Sequence, residues 1–235
     1  MYSMTDGKPA LREHLKKEIL TLGFAPGEAL DETALCRTFS LSRTPAREVF
    51  RDLAGEGYLE ITKGKGARVA EMSHDALRSF FLVAPMVYEA ILRLAAQQRA
   101  DLQISALQTA QEDFRGTLRD GSVNERTLAN VRFHEITGEM AGNVYLLPSF
   151  RRLLIDHARI GMTFYRPVNR AMSEKLATAC VQHDDIIAAI EARDSERAAE
   201  LAQAHWALSR SEIESYVMPN ALLGSLGSNL NGATA

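Results

Sequence analysis

The segment from Leu41 to Val69, LSRTPAREVFRDLAGEGYLEITKGKGARV, most restricts what this chain can fold into. Its first half predicts a helix. Ser42 or Thr44 can cap it, and Pro45 suits a first turn, where its missing N–H costs nothing. Ala46, Val49, Phe50 and Leu53 fall at i, i+3, i+4 and i+7, one buried stripe, while Arg43, Arg47 and Arg51 recur on another face. GEG ends the helix, and YLEI and ARVA alternate as two short strands around the tight turn TKGKG. Upstream, Leu11, Leu15, Ile19 and Leu22 trace one face of a first helix, closed by the turn residues GFAPG. A second helix is expected after Leu30, with Asp31 or Glu32 near its start and Leu35 and Phe39 facing inward.

Three helices followed by a basic hairpin predict a winged helix-turn-helix over residues 1–71. In that geometry the third helix enters the major groove of double-stranded DNA and the wing tip reaches the backbone or the minor groove. The planar fork of arginine can bind guanine O6 and N7 together. Gly64 and Gly66 let the wing backbone approach a phosphate without a Cβ in the way. The plainer alternative is a solvated helix face, with Glu48 and Asp52 pairing with the arginines. Bulk charge does not decide between them. The net charge is −3, and residues 1–70 carry 11 Lys and Arg against 10 Asp and Glu. The order helix, helix, capped arginine helix, Gly-Lys hairpin is the restrictive observation.

Residues 72–218 read as helix throughout and predict an all-α six-helix bundle, so the fold class is mainly α. The segments are 75–99, 101–119, 124–141, 144–168, 173–193 and 195–217, and Pro85 is expected to kink or break the first. Residues 219–235, rich in Gly, Asn and Ser, are expected to be a disordered tail. No uninterrupted run of about 18 apolar residues appears and the N-terminus lacks an apolar signal core, so no membrane association is expected. The two cysteines, Cys36 and Cys180, are far apart, and a cytoplasmic location without a disulfide framework is the expectation.

Bundle cores are where helical proteins hold small ligands and metals. His134 follows Asn130 by four residues, so both project from one face of a helix, and His183 and His205 stand on two later helices. Three imidazoles and one oxygen donor make a site for a divalent metal such as Zn, Ni or Mn. Singly, each histidine is better explained as a hydrogen-bonded or exposed residue; His14 and His157, which has no partner at metal spacing, are read that way, and Cys180, three before His183, as a small apolar one. The run HDD at 183–185 admits an alternative function, a metal-dependent helical hydrolase using His134, His183 and Asp184. On a helix, however, Asp184 points about 100° away from His183.

The elements PG..L.E..L, SRTP.RE and L..EGY over residues 10–70 resemble the DNA-binding domain of GntR-type bacterial repressors. The resemblance implies operator contacts by Arg43, Thr44, Arg47, Lys63 and Gly64. Thr33 stands where some members place a phosphate-binding arginine. The runs NVRFHEITGEMAGN and QHDDIIAAIEARDSERAAELAQAHW are similar to the ligand-binding domain of the FadR subfamily, whose metal-binding branch uses an Asp and three histidines. Carried over, these are Asn130, in place of the Asp, with His134, His183 and His205. Members with carboxylate effectors often carry an Arg four residues before the glutamate of the first bundle helix; here that position, counted from Glu89, is Pro85, and Arg159 is a candidate replacement. The resemblance thus implies a regulator rather than an enzyme: a homodimer on a palindromic operator, answering to a small-molecule effector, an organic acid, and a divalent metal.

Overall fold

The computed structural model describes residues 7–217. Residues 1–6 and 218–235 lie outside them, and with them the expected tail. The N-terminal unit comprises α1 (Gly7–Leu20), α2 (Glu32–Thr38), α3 (Arg43–Glu56), β1 (Leu59–Thr62) and β2 (Gly66–Val69). Asp31 caps α2 by accepting from the Ala34 N–H at 2.9 Å. Ser42 takes the N-cap position of α3 with extended backbone, yet its side chain makes no capping bond. Gly57 ends α3 with φ of 90°, left-handed backbone that glycine adopts without strain. The strands pair antiparallel from Leu59↔Val69 to Thr62↔Gly66, and Ala29 bridges Arg68 at the outer side of β2.

Leu11, Leu15, Ile19, Leu35, Ala46, Val49, Phe50, Leu53, Leu59 and Val69 form the core of this unit. The expected face of α1 is correct except at its end. Leu22 lies beyond the helix with φ of 57° and is exposed, because the chain turns there. The same core takes in Ile155 and Ala158 from the second unit. The winged helix therefore closes over a foreign helix rather than on itself.

That second unit has the six expected helices: α4 (His74–Gln98), α5 (Asp101–Asp120), α6 (Val123–Met140), α7 (Leu146–Gly161), α8 (Arg170–Glu191) and α9 (Ser195–Val217). Three of their starts, those of α4, α6 and α8, are marked by side-chain caps. Ser73 and Ser122 accept from the N–H groups of Ala76 and Glu125, and Asn169 from that of Met172 at 2.9 Å. α7 stops at Gly161, seven residues before the expected end. α4 runs unbroken through Pro85, so the expected break is absent. α4 is also long and apolar enough to cross a bilayer, although its inward residues Phe80, Ala84, Tyr88, Ile91 and Leu92 build the bundle core.

Candidate metal centre and nucleic-acid interface

Four histidines converge inside the bundle: His134 from α6, His157 from α7, His183 from α8 and His205 from α9. Ligand atoms of His134, His183 and His205 all lie within 4.8 Å of one another. Asn130, one turn before His134, is buried on the same helix. Phe133 stacks flat on His183, with ring centroids 3.8 Å apart and planes at 8°.

The surroundings fix which nitrogens face inward. The Gln111 amide donates through Nε2 to the Cys180 carbonyl at 2.7 Å and to Asp184 Oδ1 at 3.0 Å. Its Oε1 must therefore accept, so His183 Nδ1, 3.0 Å away, is the donor and Nε2 is left with a lone pair. Gln182 Oε1 lies 2.9 Å from His205 Nδ1. Metal-ligating histidines are commonly oriented in this way by a second hydrogen bond. His183 Nε2 and both nitrogens of His134 are buried with no partner. Such orphaned groups are rare and call for an explanation. Burial, and then the neighbouring imidazoles, hold His134 and His183 well below the ordinary imidazole range. Burial pushes His205 down to about 3 and His157 to about 4. All four are neutral at pH 7, the form that ligates a metal. The residues fit a divalent ion.

His157, which reads from the sequence as an ordinary polar residue, also belongs to the group. It joins the group through a ring contact of 5.5 Å with His134 and a hydrogen bond between its Nδ1 and the Tyr88 hydroxyl. It also lines, with His205, Phe164, Tyr165 and Ala179, a cavity little larger than one water molecule. Arg159 does not join them. Its guanidinium is buried at the junction of the two units, donating from Nη1 to the Ala70 carbonyl at 2.7 Å and paired through Nη2 with Asp156. Asp184, the acid of the hydrolase alternative, is tied up as well, held by Arg115 at 2.5 and 2.7 Å and by Gln111. Cys180 is buried against Phe114 and Tyr165, as a small apolar residue would be. His14 packs on Phe24 and Phe39, far from the others.

On the winged helix, Arg43, Thr44 and Arg47 stand exposed on the first two turns of α3. Arg47 Nε donates to both carboxylate oxygens of Glu32 at 3.0 and 3.1 Å, and Arg43 lies 3.9 Å from the same carboxylate. Among the described residues, neither acid of the plainer alternative, Glu48 or Asp52, pairs with these arginines; Glu48 is instead held by Lys8 at 2.6 Å. An exposed pair of this kind contributes about 0–1 kcal/mol, so Glu32 holds the two arginines only weakly. Lys63, Gly64 and Lys65 form the exposed wing tip, with φ of 79° at Gly64 and open space around it.

A winged helix bearing exposed arginines, joined to a helical bundle with a buried histidine cluster, is the architecture of a DNA-binding regulator. The family model for bacterial regulatory proteins of the gntR family matches residues 9–69, and that for the FCD domain matches residues 86–208. The HTH-type transcriptional repressor GlaR of Escherichia coli is 30% identical over 196 residues, 81% of this chain and 88% of the relative. The HTH-type transcriptional repressor NanR of Citrobacter rodentium is 28% identical over 219 residues, 83% and 80% of the two chains. Among solved structures, McbR/YncC of Escherichia coli superposes with a TM-score of 0.74 at 17% identity, covering 92% of this chain and 99% of that one. The chain belongs to the GntR family of transcriptional regulators, with an FCD effector-binding domain, and is not an enzyme.

Proposed function

We propose that this regulator acts in the cytoplasm as a repressor, binding a palindromic operator as a homodimer and answering to a small organic acid at a divalent metal in its bundle. The observation that carries the reading is the buried group of His134, His183 and His205, with three nitrogens that have no partner. Repression is the activity that the names of GlaR and NanR give to those relatives.

On the DNA side, Arg43, Thr44 and Arg47 read base edges, while Lys63 and Gly64 meet the backbone. Glu32 keeps the two arginines extended and side by side until DNA replaces it. In the bundle, Asn130, His134, His183 and His205 hold the ion, whose chemistry when bound is that of a Lewis acid able to anchor a carboxylate. Asn130 brings an amide dipole where an Asp would bring a charge, so a site of neutral ligands favours an anionic effector. Arg159 is committed elsewhere and does not serve as the anchor. His157 and Tyr88 supply polar groups beside the site. The present cavity has no room for an organic acid. A ligand entering it must displace part of its wall, formed by α7, the segment 162–169, α8 and α9, and only a ligand that prefers the displaced arrangement can shift DNA affinity.

Elemental analysis of gently purified protein tests the site. One divalent ion per chain, lost on His134→Ala and bound more tightly on Asn130→Asp, is expected. Finding no metal, with no stabilisation by added Zn or Ni, would reduce these histidines to polar pocket lining. Mobility-shift assays with small carboxylates then test the response.

A further inference from the structure

We infer that the outward face of α4 is the seat of the homodimer, packed antiparallel against the same helix of a second copy. The inference rests on the homodimer of the proposed function and assigns its surface. Opposite the fully buried Ala84, Leu82 is 73% exposed and Met86 69%, with Val83 on the flank at 42%. Three large apolar side chains within little more than one turn of one helix form a patch that a lone chain gains nothing by showing to water.

The register identifies the occupant. Asp75, Ser79, Leu82, Met86, Glu89 and Arg93 succeed one another at intervals of 4, 3, 4, 3 and 4, the seam of a two-stranded coiled coil. The apolar pair sits at its centre and the charges at its ends. A two-fold axis at the level of Ala84 sets Leu82 against the partner's Met86 and Asp75 against the partner's Arg93. Arg78, on the flank, meets the partner's Glu89, and each contact occurs twice. Neither Asp75 nor Arg78 forms an ion pair with any described residue, whereas Arg93 lies between Glu89 and Glu196, a group with one acid in excess. Arg78 sets a positive charge against the partner's Glu89, and Asp75 a negative one against the partner's Arg93, so each charge meets one of opposite sign. A parallel arrangement would set Asp75 on Asp75 and Glu89 on Glu89. Self-complementarity in one orientation alone is what a two-fold interface requires.

Sedimentation of the full chain without DNA is the test. Wild type is expected as a dimer, and Leu82→Arg with Met86→Arg should raise its dissociation constant at least about thirtyfold while the helical circular dichroism is kept. An equimolar mixture of Leu82→Cys and Met86→Cys chains, in a background lacking Cys36 and Cys180, should cross-link on oxidation, and Leu82→Cys alone should not. This holds even if the arginine variant folds poorly. A wild type dimer untouched by the arginines, with no cross-link in the mixture, overturns this assignment and leaves the homodimer standing on another face. A wild type monomer overturns both. A monomer that dimerises only after residues 218–235 are removed, or that pellets with phosphatidylcholine–phosphatidylglycerol vesicles through Leu82 and Met86, gives the face to another occupant and also overturns it.

Discussion

Glu32 and Gln111 are two small side chains that decide what their larger neighbours can do. Glu32 gathers Arg43 and Arg47 on one carboxylate, and Gln111 settles the tautomer of His183. Replacing Arg43 or Arg47 by Ala should cost about 1–3 kcal/mol on the cognate operator and relax base preference, measured by titration against operator and scrambled duplexes. Lys63→Ala should weaken all sequences alike and lower the salt slope by about one, as loss of a phosphate contact does. Unchanged discrimination by Arg47→Ala would remove α3 from the groove. Acid should destabilise the metal-free protein. An unfolded imidazole takes its proton near pH 6.5, while folded His157 stays neutral down to about 4. Between those values the unfolded chain binds more protons, so stability falls as pH falls, by at most about 1.4 kcal/mol per pH unit for such a group, and levels off below. Urea midpoints between pH 7.5 and 4 in the presence of a chelator should show that slope, reduced in His157→Phe.

The elements show where sequence is informative and where it is silent. The apolar stripe of α3, the Asp31 cap and the Gly-Lys turn are local signals, and the winged helix stands where they put it. The six bundle helices were legible in the same way, from periodicity and from caps such as Ser122. The residues allowed a site of His134, His183 and His205, and the resemblance singled it out, because spacing along one chain does not say which faces of three helices meet. His157, Tyr88 and Gln111 carry no local signal at all; their partners lie 69 and 72 residues away. Pro85 misled for a physical reason. A proline interior to a helix loses one backbone hydrogen bond and crowds the preceding turn, a cost that burial of Ala84 and Tyr88 on either side offsets.

For the whole molecule the joint between units matters most. Ile155 and Ala158 complete the winged-helix core, and Arg159 ties α7 to the Ala70 carbonyl. Arg159→Met should destabilise the protein by about 3 kcal/mol, since it leaves Asp156 without its closest partner and the Ala70 carbonyl without its donor. It should also split one cooperative melt into two, read by calorimetry. A single unshifted transition would show that the junction is not coupled through this residue. Three adjacent residues of α7 face three different clients: His157 the histidines, Ala158 the winged-helix core and Arg159 the segment leading to α4. A helix turns as a rigid shaft. A rotation of α7 by about 20° would carry Cα atoms on its opposite sides about 0.8 Å in opposite directions. α7 is thus geared like a crankshaft, and torque applied at His157 cannot be absorbed there without also being delivered to the floor of the DNA-binding unit.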